Sequence, residues 1–108
     1  MNQNRIHQLL EWLESEPHNA FNLYALAMEY KEEMPEKAIE YLVQIYKTQP
    51  SYTAIYYHLA ELYNVLKNKE KAEEVYKIGI QICREQKEQH ALAELQNAYQ
   101  NFLYEEDE

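Results

Sequence analysis

Glycine and proline are scarce in this chain, and their scarcity excludes most β-rich folds. One glycine and three prolines occur among 108 residues, too few for the many tight turns that a β-sandwich or a β-barrel needs. The common residues are instead strong helix formers, chiefly Glu, Lys, Ala, Leu and Gln. The composition therefore predicts an all-α protein, and the length predicts one domain with a buried core.

Basic residues are also few, which limits the partners that the chain can bind. Ten Lys and Arg stand against 19 Asp and Glu, for a formal net charge of −9. That charge repels phosphate groups, so we expect no nucleic acid and no anionic membrane among the partners. No apolar run approaches the length of a membrane span. The first residues, MNQNRIHQLL, lack the long apolar segment of a secretory signal.

A single cysteine, Cys83, excludes a disulfide within the chain. A reducing, cytoplasmic compartment is the simplest location for such a protein. Cys83 lies on an apolar helical face, where cysteines commonly pack in the core, so we expect a packing role and not a nucleophile.

Apolar residues spaced three and four positions apart mark six amphipathic segments, which predict six helices. Three prolines interrupt the pattern: Pro17, Pro35 and Pro50. Three residues suited to N-capping stand near predicted helix starts: Asn19, Ser51 and Asn68. The connections are short, so neighbouring helices should run antiparallel.

Two of the helix pairs are copies of each other. LYALAMEY (23–30) aligns with YYHLAELY (56–63) at an offset of 33, and EKAIEYL (36–42) aligns with EKAEEVY (70–76) at an offset of 34. Small residues recur in both copies, and Ala60 and Ala72 are small because two helices cross there. Gly79 lies inside a predicted helix, where glycine costs about 0.5–1 kcal/mol relative to Ala. A tight contact at Gly79 is therefore expected.

The copies resemble the tetratricopeptide repeat, whose pattern is W-x2-L-G-x2-Y…A-x3-F…P. The second copy has Tyr56-x2-Leu59-Ala60-x2-Tyr63 and then Ala72-x3-Tyr76. The first copy has Leu23-x2-Leu26-Ala27-x2-Tyr30, then Ala38-x3-Leu42, and the terminal Pro50. Ala replaces Gly in both copies, and the first turn is one residue short. Arg84 replaces the second terminal proline, so the helix that holds Cys83 should run longer.

This resemblance implies a short α-α superhelix of about six antiparallel helices, forming one domain over residues 1–108. We expect an N-terminal capping helix within 1–16, repeats over 18–50 and 51–84, and a C-terminal capping helix within 87–105. The helix with Leu9 and Trp12 should cover one apolar end, and the helix with Leu95 and Phe102 should cover the other.

In tetratricopeptide repeat proteins the first helix of each repeat lines a concave groove that binds partners. The matching faces here predict a peptide-binding groove of seven residues: Phe21, Tyr24, Met28, Tyr57, His58, Glu61 and Asn64. Tyr and Met are favoured at binding surfaces. These side chains are equally compatible with packing against the terminal helices or against another copy of the chain.

The resemblance therefore implies a non-catalytic protein–protein interaction module. The expected partner is a protein or peptide that is neutral or basic and carries apolar anchors. The alternative is a self-assembling structural protein, a homo-oligomer whose groove is filled by another protomer. The family's carboxylate clamp for acidic C-termini is absent, because its positions hold Tyr24, Met28, His58, His90 and Glu94. We expect no enzyme, no cofactor and no metal site, since no convergent ligand set or nucleophile–base pair is evident.

Overall fold

The computed structural model describes residues 1–106, which are 79% helical and contain no strand. Six helices follow one another along this part of the chain: α1 Gln3–Ser15, α2 Ala20–Tyr30, α3 Pro35–Thr48, α4 Ile55–Val65, α5 Lys69–Glu85 and α6 Gln89–Glu106. The prediction of an all-α fold is confirmed.

Asparagine and proline define the starts of four helices. Asn2, Asn19 and Asn68 each precede a helix, and each side chain accepts a hydrogen bond from the backbone N–H three residues on, at 3.0, 2.9 and 3.2 Å. Pro35 occupies the first turn of α3, where its missing N–H has no intrahelical partner to lose. The N-cap predictions for Asn19 and Asn68 are confirmed.

The predicted N-cap at Ser51 is wrong, because α4 begins only at Ile55. The intervening backbone forms turns: the N–H of Tyr52 donates to the carbonyl of Gln49 at 3.0 Å, and the N–H of Ile55 donates to the carbonyl of Tyr52 at 3.4 Å. The connection after Pro50 is therefore longer than the sequence indicated.

Lysine residues in the left-handed conformation end α4 and α5. Lys67 has φ of 64° and Lys87 has φ of 59°. In each turn the N–H of the following residue donates to the carbonyl five residues back, at 2.9 Å. This is the Schellman arrangement, in which glycine normally occupies the left-handed position. Both helix ends therefore carry a backbone conformation that is costly for a residue with a Cβ.

The chain forms two compact units, and the first spans Met1–Ile55. In this unit α2 packs against both α1 and α3. Its core includes seven side chains, the last three partly buried: Ile6, Leu9, Ala25, Leu26, Leu13, Tyr30 and Tyr41. Arg5 adds an ion pair between α1 and α2, with its Nε 3.1 Å from Glu29 Oε1. Helix α1 covers an apolar face through Ile6 and Leu9, whereas Trp12 is 50% exposed.

The second unit begins at Tyr56 and contains the rest of α4 together with α5 and α6. These three helices meet at Gly79. A Cβ placed on Gly79 would lie 2.5 Å from the Cβ of Tyr56 in α4 and 3.1 Å from Cδ1 of Leu95 in α6. Ala60 and Ala72 are completely buried. The expected tight contact at Gly79 is confirmed.

Three aromatic rings fill the space between α5 and α6. Tyr76 lies with its ring centroid 5.6 Å from Tyr99 and 5.4 Å from Phe102, and these last two rings are 6.3 Å apart. The hydroxyl of Tyr99 donates to Glu73 Oε2 at 2.9 Å. Helix α6 therefore packs on α5 through Tyr76 and the Gly79 position, and the neighbouring face with Val75, Ile78 and Ile82 is half-buried.

Helix α5 has 17 residues and α3 has 14, which confirms that α5 runs longer where Arg84 replaces the terminal proline. Cys83 lies near the end of α5 and is completely buried. Burial raises the pKa of its thiol, and the nearby charge of Glu88 raises the pKa further. The thiol therefore stays protonated, as expected for a cysteine that packs in the core.

Candidate functional site

A cleft opens between α4 and α6 in the second unit, with a volume of about 190 Å³. Three of the predicted groove residues, Tyr57, Glu61 and Asn64, form its α4 wall. The remaining lining comes from α5 and α6: Tyr76, Ala98, Asn101, Phe102 and Glu105. The sequence-predicted face of α4 thus lies in a concave site.

Helical periodicity explains why these α4 side chains share one wall. Tyr57, Glu61 and Asn64 are spaced four and three residues apart, so they lie on one face of the helix. Tyr56, Leu59 and Ala60 are buried on the adjacent face. Burying the repeat motif therefore turns the next face of α4 toward the cleft.

Tyr76 links the aromatic cluster to the cleft, since it lines the cleft and is only 5% exposed. Burial raises the pKa of Tyr76 to about 12, and the charges of Glu61, Tyr57 and Glu105 contribute in that order. Its phenol is therefore neutral at physiological pH and able to donate a hydrogen bond.

The side chains around the cleft carry more negative than positive charge. Glu61 and Glu105 both line it, and within residues 1–106 neither carboxylate forms a salt bridge. Lys69 is the cation at the edge: its Nζ donates to Asn64 Oδ1 at 2.6 Å and lies 5.6 Å from the centroid of the Phe102 ring. The ammonium group is thus bound to an amide and a ring face, while both carboxylates stay available to a ligand.

The fourth predicted groove residue of the second repeat, His58, does not line the cleft. It is half-buried, and its ring meets the ring of Tyr57 edge-on, with centroids 5.4 Å apart and an interplanar angle of 81°. His58 therefore supports a cleft residue from the side.

The predicted groove residues of the first repeat differ in their exposure. Phe21 is 63% exposed, while Tyr24 and Met28 are half-buried. The ring of Tyr24 lies 6.0 Å from the ring of Tyr52. That these side chains and the α4 residues serve one binding groove stays a prediction.

Comparison with known proteins identifies the repeat. The sequence matches the tetratricopeptide repeat family over residues 29–101. The chain belongs to this family. It is similar to a solution NMR structure of a tetratricopeptide repeat domain protein from Salinibacter ruber, with 35% identity, a TM-score of 0.74, and coverage of 81% of this chain and 89% of that one.

A crystal structure of the tetratricopeptide repeat domain protein from Salinibacter ruber is also similar. It shows 35% identity, a TM-score of 0.73, and coverage of 78% of this chain and 94% of that one. Comparison with curated proteins finds no match.

In this tetratricopeptide repeat chain, sequence reasoning missed five cleft residues. The sequence places Tyr76 in the repeat motif and Phe102 in the terminal helix, but both also line the cleft. Ala98, Asn101 and Glu105 were not singled out. Their spacing of three and four residues matches that of Tyr57, Glu61 and Asn64, and this is the signal that could have revealed them.

Two histidines of this tetratricopeptide repeat chain, His7 and His90, form exposed pairs with glutamates along their helices. Nε2 of His7 lies 3.4 Å from Glu11 Oε1, and Nε2 of His90 lies 3.7 Å from Glu94 Oε2. Within residues 1–106, no group of three or more His, Cys, Asp or Glu side chains is placed to hold a metal ion. The same residues include no helix that is both long and apolar enough to cross a bilayer.

Proposed function

We propose that this tetratricopeptide repeat protein is a non-catalytic interaction module that binds a peptide or a segment of a partner protein. The binding faces are those of the first helices of repeats 18–50 and 51–84, with the helices within 1–16 and 87–105 as caps. One observation carries the proposal: Tyr57, Glu61 and Asn64, predicted as groove residues, line a cleft that α6 completes.

The size and lining of the cleft favour a peptide over a small-molecule substrate. Pockets for drug-sized ligands typically span about 300–1,000 Å³, whereas this cleft has about 190 Å³. It therefore accommodates one anchoring side chain. The amides of Asn64 and Asn101 can bond to a peptide backbone, and Tyr57 supplies a ring with a hydroxyl.

The proposal also includes the predicted groove residues that lie outside the cleft. Phe21, Tyr24 and Met28 offer apolar area for hydrophobic anchors of the partner, and His58 flanks Tyr57. The net charge of −9 favours neutral or basic partners by steering their approach. A reducing cytoplasm is the compartment that fits the single buried Cys83.

The proposal is tested by capturing partners on the purified protein, identifying them by mass spectrometry, and titrating each candidate by calorimetry. Replacing Tyr57 by Ala should weaken binding by at least about tenfold, because buried aromatic anchors cost about 2 kcal/mol or more when truncated. Tyr104→Ala is the matched control, since Tyr104 is 74% exposed and does not line the cleft. Equal losses in the two variants would refute the assignment of the cleft.

Self-assembly is a second candidate function, and exposed apolar side chains favour it. Phe21 and Val65 are each 63% exposed, and Trp12 is 50% exposed. Such side chains can be covered by another copy of the chain. Size-exclusion chromatography with light scattering separates the two functions: a stable oligomer that dissociates on Phe21→Ser or Trp12→Ser substitution supports self-assembly, and a monomer supports a different partner.

A further inference from the structure

The cleft between α4 and α6 combines features that select one class of side chain. It is concave, it presents the carboxylates of Glu61 and Glu105, and the rings of Tyr57 and Phe102 line it. Carboxylates attract cations, and aromatic faces attract cations as well. An acidic or phosphorylated side chain would instead meet repulsion from both glutamates.

We infer that this cleft is a subsite for a basic side chain of the partner, with an arginine guanidinium as the preferred occupant, held between Glu61 and Glu105 over an aromatic ring. The inference rests on the proposed function and adds to it the chemical class of the side chain that the second repeat recognises.

Lys69 occupies one of the two aromatic faces at the cleft and leaves the other to a ligand. Its ammonium already lies over the ring of Phe102, 5.6 Å from the centroid, and bonds to Asn64 Oδ1 at 2.6 Å. Both contact residues line the cleft. Because this ammonium would repel a second cation at Phe102, the groups left for a ligand cation are the ring of Tyr57 and the carboxylates of Glu61 and Glu105.

Arginine fits this lining better than lysine does. The guanidinium is planar and carries five N–H donors, so it can bond to carboxylates while its face stacks on a ring. An ammonium is a compact, strongly hydrated charge with fewer directional contacts. A cleft of about 190 Å³ holds one such group and leaves the rest of the peptide to other parts of the surface.

The test uses three blocked tripeptides, acetyl-Ala-Xaa-Ala-amide, in which Xaa is arginine, norleucine or glutamate. Each is titrated into the full-length protein, and the backbone amide shifts of Asn64, Ala98 and Asn101 are followed by NMR. The arginine peptide should give saturable shifts there and bind at least about fivefold more tightly than the norleucine peptide. The glutamate peptide should give none.

A matched pair of variants isolates the carboxylates. Glu61→Gln with Glu105→Gln should abolish the preference for arginine over norleucine. Glu40→Gln with Glu74→Gln removes two exposed carboxylates elsewhere and should preserve that preference, which controls for net charge. Unchanged shifts outside the cleft in both variants confirm that the fold is retained.

Equal affinity for the arginine and norleucine peptides would overturn the inference, as would arginine-induced shifts confined to another surface or an unchanged preference in the Glu61→Gln, Glu105→Gln protein. A different result would refute the proposed function: a captured partner whose affinity does not depend on Tyr57. A partner that needs Tyr57 but shows no arginine preference at the cleft would leave the interaction module standing and remove the cation subsite.

Discussion

Gly79 occupies a position inside a helix, which the intrinsic helix propensity of glycine disfavours. Glycine is among the worst helix formers, at about 1 kcal/mol less favourable than Ala, yet it lies inside α5. The reason is steric, because a Cβ at this position would lie 2.5 Å from Tyr56 Cβ and 2.8 Å from Tyr56 Cγ. Tyr56 is completely buried, so its ring has little room to move.

The Gly79→Ala substitution should therefore destabilise the protein although it improves helix propensity. Overpacking a core costs about 1–3 kcal/mol, and the clash with Tyr56 puts the expected loss near the upper end, measured as the free energy of unfolding in urea. Lys77→Ala, at an exposed position of α5, should change stability by less than about 0.5 kcal/mol. A Gly79→Ala protein as stable as the wild type would mean that α4 and α5 separate easily.

Tyr76 makes stability depend on pH in the alkaline range. Its pKa is raised from 10.0 to about 12 in the folded protein, so folding favours the neutral phenol. The stabilisation is fully present below pH 10 and is lost as pH rises through 12. Urea unfolding should show a fall in stability across this window in the wild type and a smaller fall in Tyr76→Phe. Tyr104→Phe, altered at an exposed position, should behave like the wild type; a Tyr76→Phe protein with the wild-type pH dependence would contradict the prediction.

At the scale of helices, the starts of helices could be predicted from the sequence better than their ends. Asparagine caps act through one local hydrogen bond, so Asn19 and Asn68 could be recognised directly. The N-cap prediction at Ser51 was wrong because hydrogen-bonded turns that involve Gln49 and Tyr52 precede α4, which begins at Ile55. The ends of α4 and α5 carried no glycine signal, since lysine occupies the left-handed position in both.

Glycine at either left-handed position should stabilise the protein. The left-handed conformation costs an ordinary residue about 1–2 kcal/mol, and part of that gain is offset by the greater entropy of glycine in the unfolded chain. Lys67→Gly and Lys87→Gly should each raise the unfolding free energy by about 0.5–1 kcal/mol, seen as a higher midpoint in urea. Lys77→Gly, inside α5, should lower it by about 1 kcal/mol. A loss of stability on Lys87→Gly would show that the lysine side chain stabilises the turn more than its backbone strains it.

The site could be predicted only where the repeat motif fixed the register. Aligning Tyr24 with Tyr57 predicted a groove face on α4, because the resemblance to the tetratricopeptide repeat implies which face of each first helix lines the groove. The wall from α6 could not be found in this way, since α6 lies outside the two aligned copies and its rotation depends on packing against α5 through Tyr99 and Phe102. The position of the α6 wall therefore depends on tertiary contacts that a local sequence pattern does not reveal.

At the scale of the molecule, the two repeats share their motif residues but differ in other side chains of their first helices. The first repeat presents Phe21, Tyr24 and Met28, which are mostly apolar, and the second presents Tyr57, Glu61 and Asn64. The core positions match while these outward positions differ, because the shared fold constrains the buried positions more than the exposed ones.

Tyr24 and Tyr57 occupy equivalent positions in the two repeats, and we expect both rings to contact the partner. Tyr24 and Tyr57 are half-buried, a state in which an aromatic ring still contacts a ligand but carries little of the core packing. For a partner identified by capture, the Tyr24→Ala, Tyr57→Ala protein should bind at least about tenfold more weakly, with its melting temperature lowered by only a few degrees. Calorimetry and thermal denaturation monitored by circular dichroism measure the two quantities on the same samples.

The control for this double variant is Trp12→Ala with Tyr104→Ala, which also removes two rings, at positions that are 50% and 74% exposed. Wild-type affinity in the control and weak binding in the Tyr24→Ala, Tyr57→Ala protein would assign recognition to the first helices of the repeats. Full affinity in a folded double variant would place the binding surface elsewhere. A double variant that does not fold would assign both tyrosines to the core. In that case the Tyr24→Phe, Tyr57→Phe protein keeps both rings and removes only the hydroxyls, so its affinity measures what the hydroxyls contribute to binding.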